Sequence, residues 1–292
     1  ESVYEASERF FEEGFDLSSF GKIPVPSVWQ NHGYDKHQYT NIRYPFPYDP
    51  PHVPYENPCG AYVRSFSLPA EIENKKFYLN FEGVDSCFYV WINGNFAGYS
   101  QVSHSTSEFD ISAFVRAGEN KICVLVLKWC DGSYFEDQDK FRTSGIFRDV
   151  YILSRPQEHL RDFFVKQKLS DNYSKAKVDI DLEFLWEAIP VEFSLLDPWG
   201  KEMLLGGSSG GKISFELENI KLWSAEQPFL YTLLLSCAGE IIPVKIGFRE
   251  VRVENGVMLF NGQKIMLKGA NRHDSSPFTG PAVDIQPYEK RP

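Results

Sequence analysis

Apolar and aromatic side chains recur along this chain in short runs, many with a period of two. Residues 76–82 (KFYLNFE) and 87–92 (CFYVWI) are rich in aromatic and β-branched residues, the types that fit a pleated, half-buried surface. Val178, Ile180, Leu182 and Phe184 alternate with Asp179, Asp181 and Glu183, which predicts a strand with one face in water. Residues 121–129 (KICVLVLKW) are nearly continuously apolar, as expected of a strand covered on both faces. Asn-Gly pairs at 93–94, 255–256 and 261–262 predict tight turns with positive φ between such runs. Helical spacing is nearly absent, with room for a turn or two over residues 4–13. Short strands with frequent turn signals predict a mainly β chain built of sandwiches.

Two breaks divide this pattern. Ser154-Arg155-Pro156 follows the strand-like VYIL (150–153), and Pro156 is expected to end the ladder because it has no N–H to donate. Residues 160–249 then form a second set of strands, interrupted at Gly206-Gly207-Ser208-Ser209-Gly210-Gly211. The runs MLF and KIMLKG around Asn261-Gly262 begin a third element. About forty residues cannot bury a core of their own. The expected division is therefore 1–155, 156–249, and 250–292 as the severed start of a third domain, poorly ordered beyond about residue 275. Residues 45–58 (PFPYDPPHVPYENP) are proline-rich and read as a stiff, extended surface segment.

Composition narrows the function. A length of 292 residues with 42% apolar and 24% charged residues suits about two globular domains with ample core. Aromatics make up 15%, and they supply flat faces for sugar rings as well as core. A net charge of −10 without a basic stripe argues against a nucleic-acid partner. No apolar run reaches the roughly 18 residues of a membrane helix. The start, ESVYEASERFFEEGF, is too polar for a signal peptide, although a chain without an initiator Met says little about a leader. The five cysteines, Cys59, Cys87, Cys123, Cys130 and Cys237, fit no metal-binding spacing. Cys87 and Cys123 fall inside apolar runs, where a thiol acts as a small hydrophobe, so a reducing, cytoplasmic compartment is expected.

The tryptophan-rich stretches are the distinctive ones. VPSVWQNHGYD (25–35), YTNIRYPFPYDPPHVPYENPCGAY (39–62), FEGVDSCFYVWINGNFAGYSQ (81–101), SEFDISAFVRAGENKI (107–122) and WCDGSYFEDQDKFRTSGIFRDVYIL (129–153) closely resemble the amino-terminal domain of lac-type bacterial β-galactosidases of glycoside hydrolase family 2. LWSAEQPFLYTL (222–233) and IGFREVRVENGVMLFNGQKIMLKGANRHD (246–274) continue the resemblance in the same order. It is weakest over 1–20 and 160–215.

The resemblance implies a jelly-roll sugar-binding domain, then an immunoglobulin-like sandwich, then the first strands of a truncated TIM barrel. It implies a parent enzyme that hydrolyses terminal β-galactosides with retention, using two glutamates that lie beyond residue 292. This chain is accordingly expected to be inactive alone. Asp139, at the end of FEDQD, matches an aspartate that holds sodium and orients the sugar 6-hydroxyl. Asp85, in GVDSCF, stands where the best-known members carry Asn, a change that keeps an acceptor but removes the amide donor. His273, in GANRHD, matches a histidine that touches galactose. Gln101 and Asp131 match positions of a peripheral second metal. Magnesium and sodium are expected in the full-length enzyme, with neither stably held by this chain. The expected partners are a β-galactoside, the missing barrel with its following domains, and further copies in a homo-oligomer.

Other readings of the same residues stay open. Glu136, Asp137 and Asp139 form a carboxylate-rich loop that reads as a metal loop, a solvated acidic loop or a catalytic acid pair. No flanking apolar pocket is evident to raise one of the three, as a general acid requires. A stand-alone carbohydrate-binding module would share the sandwiches, and so would a β-glucuronidase. FEDQD and SGIFRDV favour the galactosidase branch.

Overall fold

Period-two runs fold as strands throughout the computed structural model, which describes residues 9–41 and 43–283. No α-helix occurs among the described residues; two single 3-10 turns, Trp29–His32 and Asp131–Tyr134, interrupt the loops. The chain divides into two units. One runs to Ser154 and takes up the chain again from Asn271; the other is Arg155–Ala270.

In the first unit, the strands Cys59–Leu68, Gly118–Leu127, Cys87–Ile92 and Asn95–Gln101 lie side by side in that order. A second sheet has the order Val150–Pro156, Lys75–Phe81, Ser107–Asp110. Their facing side chains form the core: Phe77, Leu79 and Phe81 from one sheet, Phe88, Val90, Ile92, Val124 and Val126 from the other. The rings of Phe81 and Phe88 meet at 4.7 Å. Each such fully buried side chain contributes about 1.5–3 kcal/mol relative to exposure. The apolar run KICVLVLKW is covered on its far face too, as its pattern predicts. The thiol of Cys123 points to the carbonyl of Phe10, and Phe11 stacks on Trp91 of the neighbouring strand at 5.0 Å.

In the second unit, Leu160–Leu169, Lys175–Phe184 and Lys212–Glu218 form one antiparallel sheet. Glu202–Ser208, Val191–Leu196, Tyr231–Cys237 and Glu240–Ile246 form the other. The predicted alternation holds: Val178 and Ile180 are fully buried, while Asp179 accepts from Ser214 on the outer face. Phe193 and Phe215 stack across the core at 5.0 Å. A small sheet of Val251–Glu254, Val257–Phe260 and Gln263–Lys264 belongs to this unit. It is held by Asn261, whose amide donates to the Trp223 carbonyl, and by Phe260 against the Trp223 ring.

All three Asn-Gly pairs turn with positive φ at both residues, as expected. Other local expectations need correction. The edge strand runs through Pro156 instead of stopping before it, because a terminal proline on an edge strand costs no ladder bond. Gly206 and Gly207 lie within the strand Glu202–Ser208 and do not break it. A side chain at Gly206 would collide with the Phe193 ring, its Cβ falling 2.6 Å from a ring carbon, so the glycine gives the core phenylalanine its place. The strand expected across KIMLKG ends at Lys264, and Met266 and Leu267 are each 78% exposed. Of the described residues beyond 250, those up to Ala270 belong to the second unit and those from Asn271 to the first. The expectation of poor order beyond about residue 275 falls largely on residues 284–292, outside those described; of the helical turn considered for 4–13, residues 4–8 lie outside them as well, and residues 9–13 form turns.

Candidate functional site

The first unit contains an open cleft of about 820 Å³, and its walls come from five remote parts of the sequence. Asp85, Asp139 and His273 all line it. Strand pairing explains how they meet. The two-residue strand Gln38–Tyr39 pairs with Phe141–Arg142, which brings residues 37–39 beside the FEDQD loop. Val84–Asp85 pairs with Gly145–Ile146, which sets Asp85 next to the same segment.

The loop carboxylates have separate tasks. Glu136 accepts from both the backbone N–H and the hydroxyl of Ser103, at 2.7 and 2.6 Å. Asp137 pairs with the buried guanidinium of Arg142 at 2.5 Å. The same guanidinium donates to the Gln138 carbonyl at 2.6 Å and to the Thr40 carbonyl at 3.1 Å. Charge-assisted bonds of this kind are the stronger sort, so Arg142 fixes the loop from inside. Asp139 is left facing the cleft, where it accepts from the Tyr39 hydroxyl at 2.5 Å. That bond raises the Tyr39 pKa, because a phenolate would lose the donated proton and face the carboxylate's charge. Glu136 and Asp137 are thus tied to Ser103 and Arg142, while Asp139 faces the cleft.

Asp85 is half-buried, and its carboxyl is pushed up to about 6, chiefly by desolvation. Lys140 and Arg142 oppose the rise, Glu136 adds to it, and the Ser103 hydroxyl offers Asp85 a weak bond at 3.4 Å. The Asp85–Ser86 peptide bond is cis. His104, also on the cleft wall, is pushed down to about 4, first by desolvation and then by the positive charges of Lys140 and Arg148. Its ring rests against Phe147 at 5.1 Å, and its Nε2 is 3.5 Å from Lys140 Nζ. His273 lies near enough to His104 for their charges to interact. The neighbouring Arg272 and Asp274 pair with each other at 2.7 Å.

Gln101 and Asp131 do not line this cleft. Gln101 accepts from the Tyr99 hydroxyl at 3.1 Å, and Asp131 accepts from the Gly132 N–H at 2.9 Å. The two residues are nevertheless close, since Gly132 abuts the Gln101 side chain. Residue-by-residue reading misses Tyr39, His37, His104, Lys140 and Arg148, which complete the cleft. The short strand pairing that recruits Tyr39 leaves no periodic trace in two residues. The exposed aromatic pair Tyr39 and Phe141, with ring centroids 5.6 Å apart, gives the cleft an apolar face beside its carboxylate, which suits a sugar ring and its hydroxyls.

Three family models match the chain in succession. They are the sugar binding domain of glycosyl hydrolases family 2 over residues 2–156, a second glycosyl hydrolases family 2 domain over 158–249, and the family's TIM barrel domain over 251–290. The chain belongs to glycosyl hydrolase family 2, and its fold is the expected jelly-roll sandwich, immunoglobulin-like sandwich and opening of a TIM barrel. It is similar to a β-galactosidase of Actinobacillus pleuropneumoniae, with 50% identity over 283 residues, 97% of this chain and 27% of that protein. It is also 50% identical over 268 residues to a β-galactosidase of Staphylococcus xylosus, covering 92% of this chain and 27% of the relative. The chain thus spans about a quarter of the length of these relatives. Among solved structures, a β-glucuronidase of an uncultured Clostridium sp. superimposes with a TM-score of 0.77 at 20% identity, over 96% of this chain and 47% of that one. A β-glycosidase of Bacteroides vulgatus gives 0.76 at 24%, over 97% and 37%. At such identities the likeness is one of fold.

Proposed function

We propose that this chain is the amino-terminal portion of a retaining β-galactosidase, and that it supplies accessory sugar contacts while the reacting carboxyl groups come from the rest of the enzyme. The observation that carries this reading is the meeting of Asp85, Asp139 and His273 in one cleft, in a chain half identical to two β-galactosidases. Asp139 presents carboxylate oxygens to a sugar hydroxyl, Asp85 a second acceptor, and His273 a ring nitrogen. Tyr39 holds Asp139 in place. Retaining hydrolysis needs two carboxyl groups about 5–5.5 Å apart, one acid/base and one nucleophile. Within the FEDQD loop, Glu136 and Asp137 are committed to Ser103 and Arg142.

Sodium fits this site in part. A carboxylate oxygen suits a hard cation, and Asp139 offers one to the cleft. Among the described residues, however, no three His, Cys, Asp or Glu side chains gather to hold a metal ion. Asp139 would therefore be one ligand of a set completed by the remainder of the enzyme.

The test is an assay of the full-length enzyme and of this chain with nitrophenyl β-galactoside and nitrophenyl β-glucuronide. The full-length enzyme should cleave the galactoside, and the chain alone should not exceed a buffer control. Asp139→Asn in the full-length enzyme should lower activity and blunt the response to sodium together. Preference for the glucuronide would move the chain to the other branch of the family. An unchanged rate and sodium response in Asp139→Asn would place the role on another residue.

A further inference from the structure

The side chains of Cys87 and Cys130 lie together at one strand end: Cys87 pairs with Gln101 across its sheet, and the Cys130 sulfur and the Gln101 side chain both crowd Gly132, with Ser86 alongside. The fold brings them together by register. Cys87 opens the strand Cys87–Ile92 opposite Leu127, the last residue of Gly118–Leu127. Cys130 follows three residues later, as the N-cap of the 3-10 turn Asp131–Tyr134. Ser86 fastens the junction, because its N–H and its hydroxyl both donate to the Leu127 carbonyl at 3.1 Å. Both thiols are buried, at 2% and 7% exposure. The Tyr99 hydroxyl, which donates to Gln101, lies beside the Cys87 thiol, and the Tyr99 side chain is 42% exposed.

Cys130 also begins something. It precedes the 3-10 turn Asp131–Tyr134, and its N–H donates to the Ser133 hydroxyl at 3.0 Å. The N–H groups of Phe135 and Glu136 both donate to the Gly132 carbonyl, at 3.0 and 3.1 Å. The position of Cys130 therefore sets the start of the loop that ends in Asp139.

We propose that Cys87 and Cys130 are a reversible dithiol site, which a peroxide closes to a disulfide and a thiol reductant reopens, and that closure stiffens the turn leading into the Glu136–Asp139 loop. In the first step one sulfur attacks a peroxide oxygen. The O–O bond breaks, the leaving hydroxide takes a proton to become water, and a sulfenic acid remains. In the second step the other sulfur attacks the sulfenyl sulfur. The S–O bond breaks, the S–S bond forms, and a second water leaves with the remaining thiol proton. Two electrons pass from the sulfur pair to the peroxide. Reopening by a dithiol proceeds through a mixed disulfide and returns two thiols at the expense of the reductant's own oxidation.

The experiment treats the whole chain with hydrogen peroxide, alkylates it, and maps the peptides without reduction. The expected result is one linked peptide pair containing Cys87 and Cys130, with three of the five thiols still alkylated and full recovery after dithiothreitol. Amide exchange over residues 131–140 should slow in the oxidised chain and return on reduction. Cys87→Ser and Cys130→Ser should each abolish the link, whereas Cys237→Ser, in the other unit, should leave it. The link is read in the unaltered chain, so a variant that fails to fold does not obscure the result. Sulfinic acid at either residue without a linked pair, a link through Cys59 or Cys123 instead, or no reaction in the folded chain would each overturn the proposal. Unchanged exchange over 131–140 in the linked chain would overturn its second half.

Discussion

The phenol of Tyr39 donates to the carboxylate of Asp139 at 2.5 Å, joining residues a hundred positions apart through a pair of two-residue strands. The bond leaves a signature on the phenol, whose pKa is raised by it. Replacing Asp139 by Asn removes the charge that holds the proton in place, so the Tyr39 titration should move to lower pH. Ring NMR of Tyr39 through the alkaline range, in the parent chain and in Asp139→Asn, measures this. Coincident titrations would mean the bond does not persist in solution.

Asp85 and His104 should pull stability in opposite directions over nearly the same pH range. The Asp85 carboxyl rises from its ordinary 3.8 to about 6 in the folded chain. The stability gained from its protonated form is complete below about pH 4 and is lost as pH climbs through 6. His104 falls from 6.5 to about 4. Its contribution is present above 6.5 and is lost as pH drops through 4. Asp85→Asn keeps an oxygen for Ser103 but has no charge to desolvate. It should therefore stabilise the chain at pH 7 by no more than about 3 kcal/mol. It should also leave a profile that rises from pH 4 to 6.5. His104→Gln should leave the reverse slope, and the larger one, because water screens the exposed His104 and so shrinks the slope that Asp85→Asn leaves. Urea unfolding at half-unit pH steps reads both; equal slopes in the two variants would reject the assignment.

Removing Arg142 should be costly out of proportion to its place beside a surface cleft. Its guanidinium is buried and serves Asp137, Gln138 and Thr40 at once. Arg142→Ala would leave Asp137 without its partner. Breaking such a buried pair costs roughly 3–5 kcal/mol. Denaturant unfolding should show a loss of this size, with faster amide exchange confined to residues 136–142. Arg142→Lys should recover little, since an ammonium cannot serve all three acceptors in one plane. A loss below about 1 kcal/mol would place Arg142 with ordinary surface ion pairs.

Leu233→Ala tests the second core. Leu233 is fully buried between Leu195 and Val244 in the register of its sheet. A leucine-to-alanine cavity at such a site costs roughly 2–5 kcal/mol. The near-ultraviolet signal and the melting temperature should both fall. A change within error would mean the sheet closes over the gap.

The strands were readable because their evidence is local: a period of two, aromatic and β-branched content, and Asn-Gly pairs that turned as predicted. The residues around Asp139 were not, because long-range pairing assembles them. Tyr39 and Phe141 lie in strands of two residues each, too short for any periodicity. His104 and Lys140 enter the cleft from loops far apart in sequence, and only the fold shows that their charges meet. Asp85, Asp139 and His273 could be singled out only through long motifs shared with a family. Pattern alone left FEDQD ambiguous until Arg142 and Ser103 were seen to claim two of its carboxylates. Pro156 and Gly206 misled for one shared reason: both residue types usually interrupt ladders, yet an edge position and an overlying Phe193 ring give them places inside one.

The separate partners of Glu136, Asp137 and Asp139 bear on how such a loop can diversify. Two of the carboxylates are anchored by Ser103 and Arg142, whereas the third is held only at the rim. In a mutational library, positions 136, 137 and 142 should therefore report on abundance, and position 139 on ligand preference at nearly constant abundance. The loop's shape and its chemical selectivity are then inherited through different residues. A lineage could exchange the group at position 139 while the surrounding backbone kept its course, and new specificities could be sampled without first finding a new scaffold.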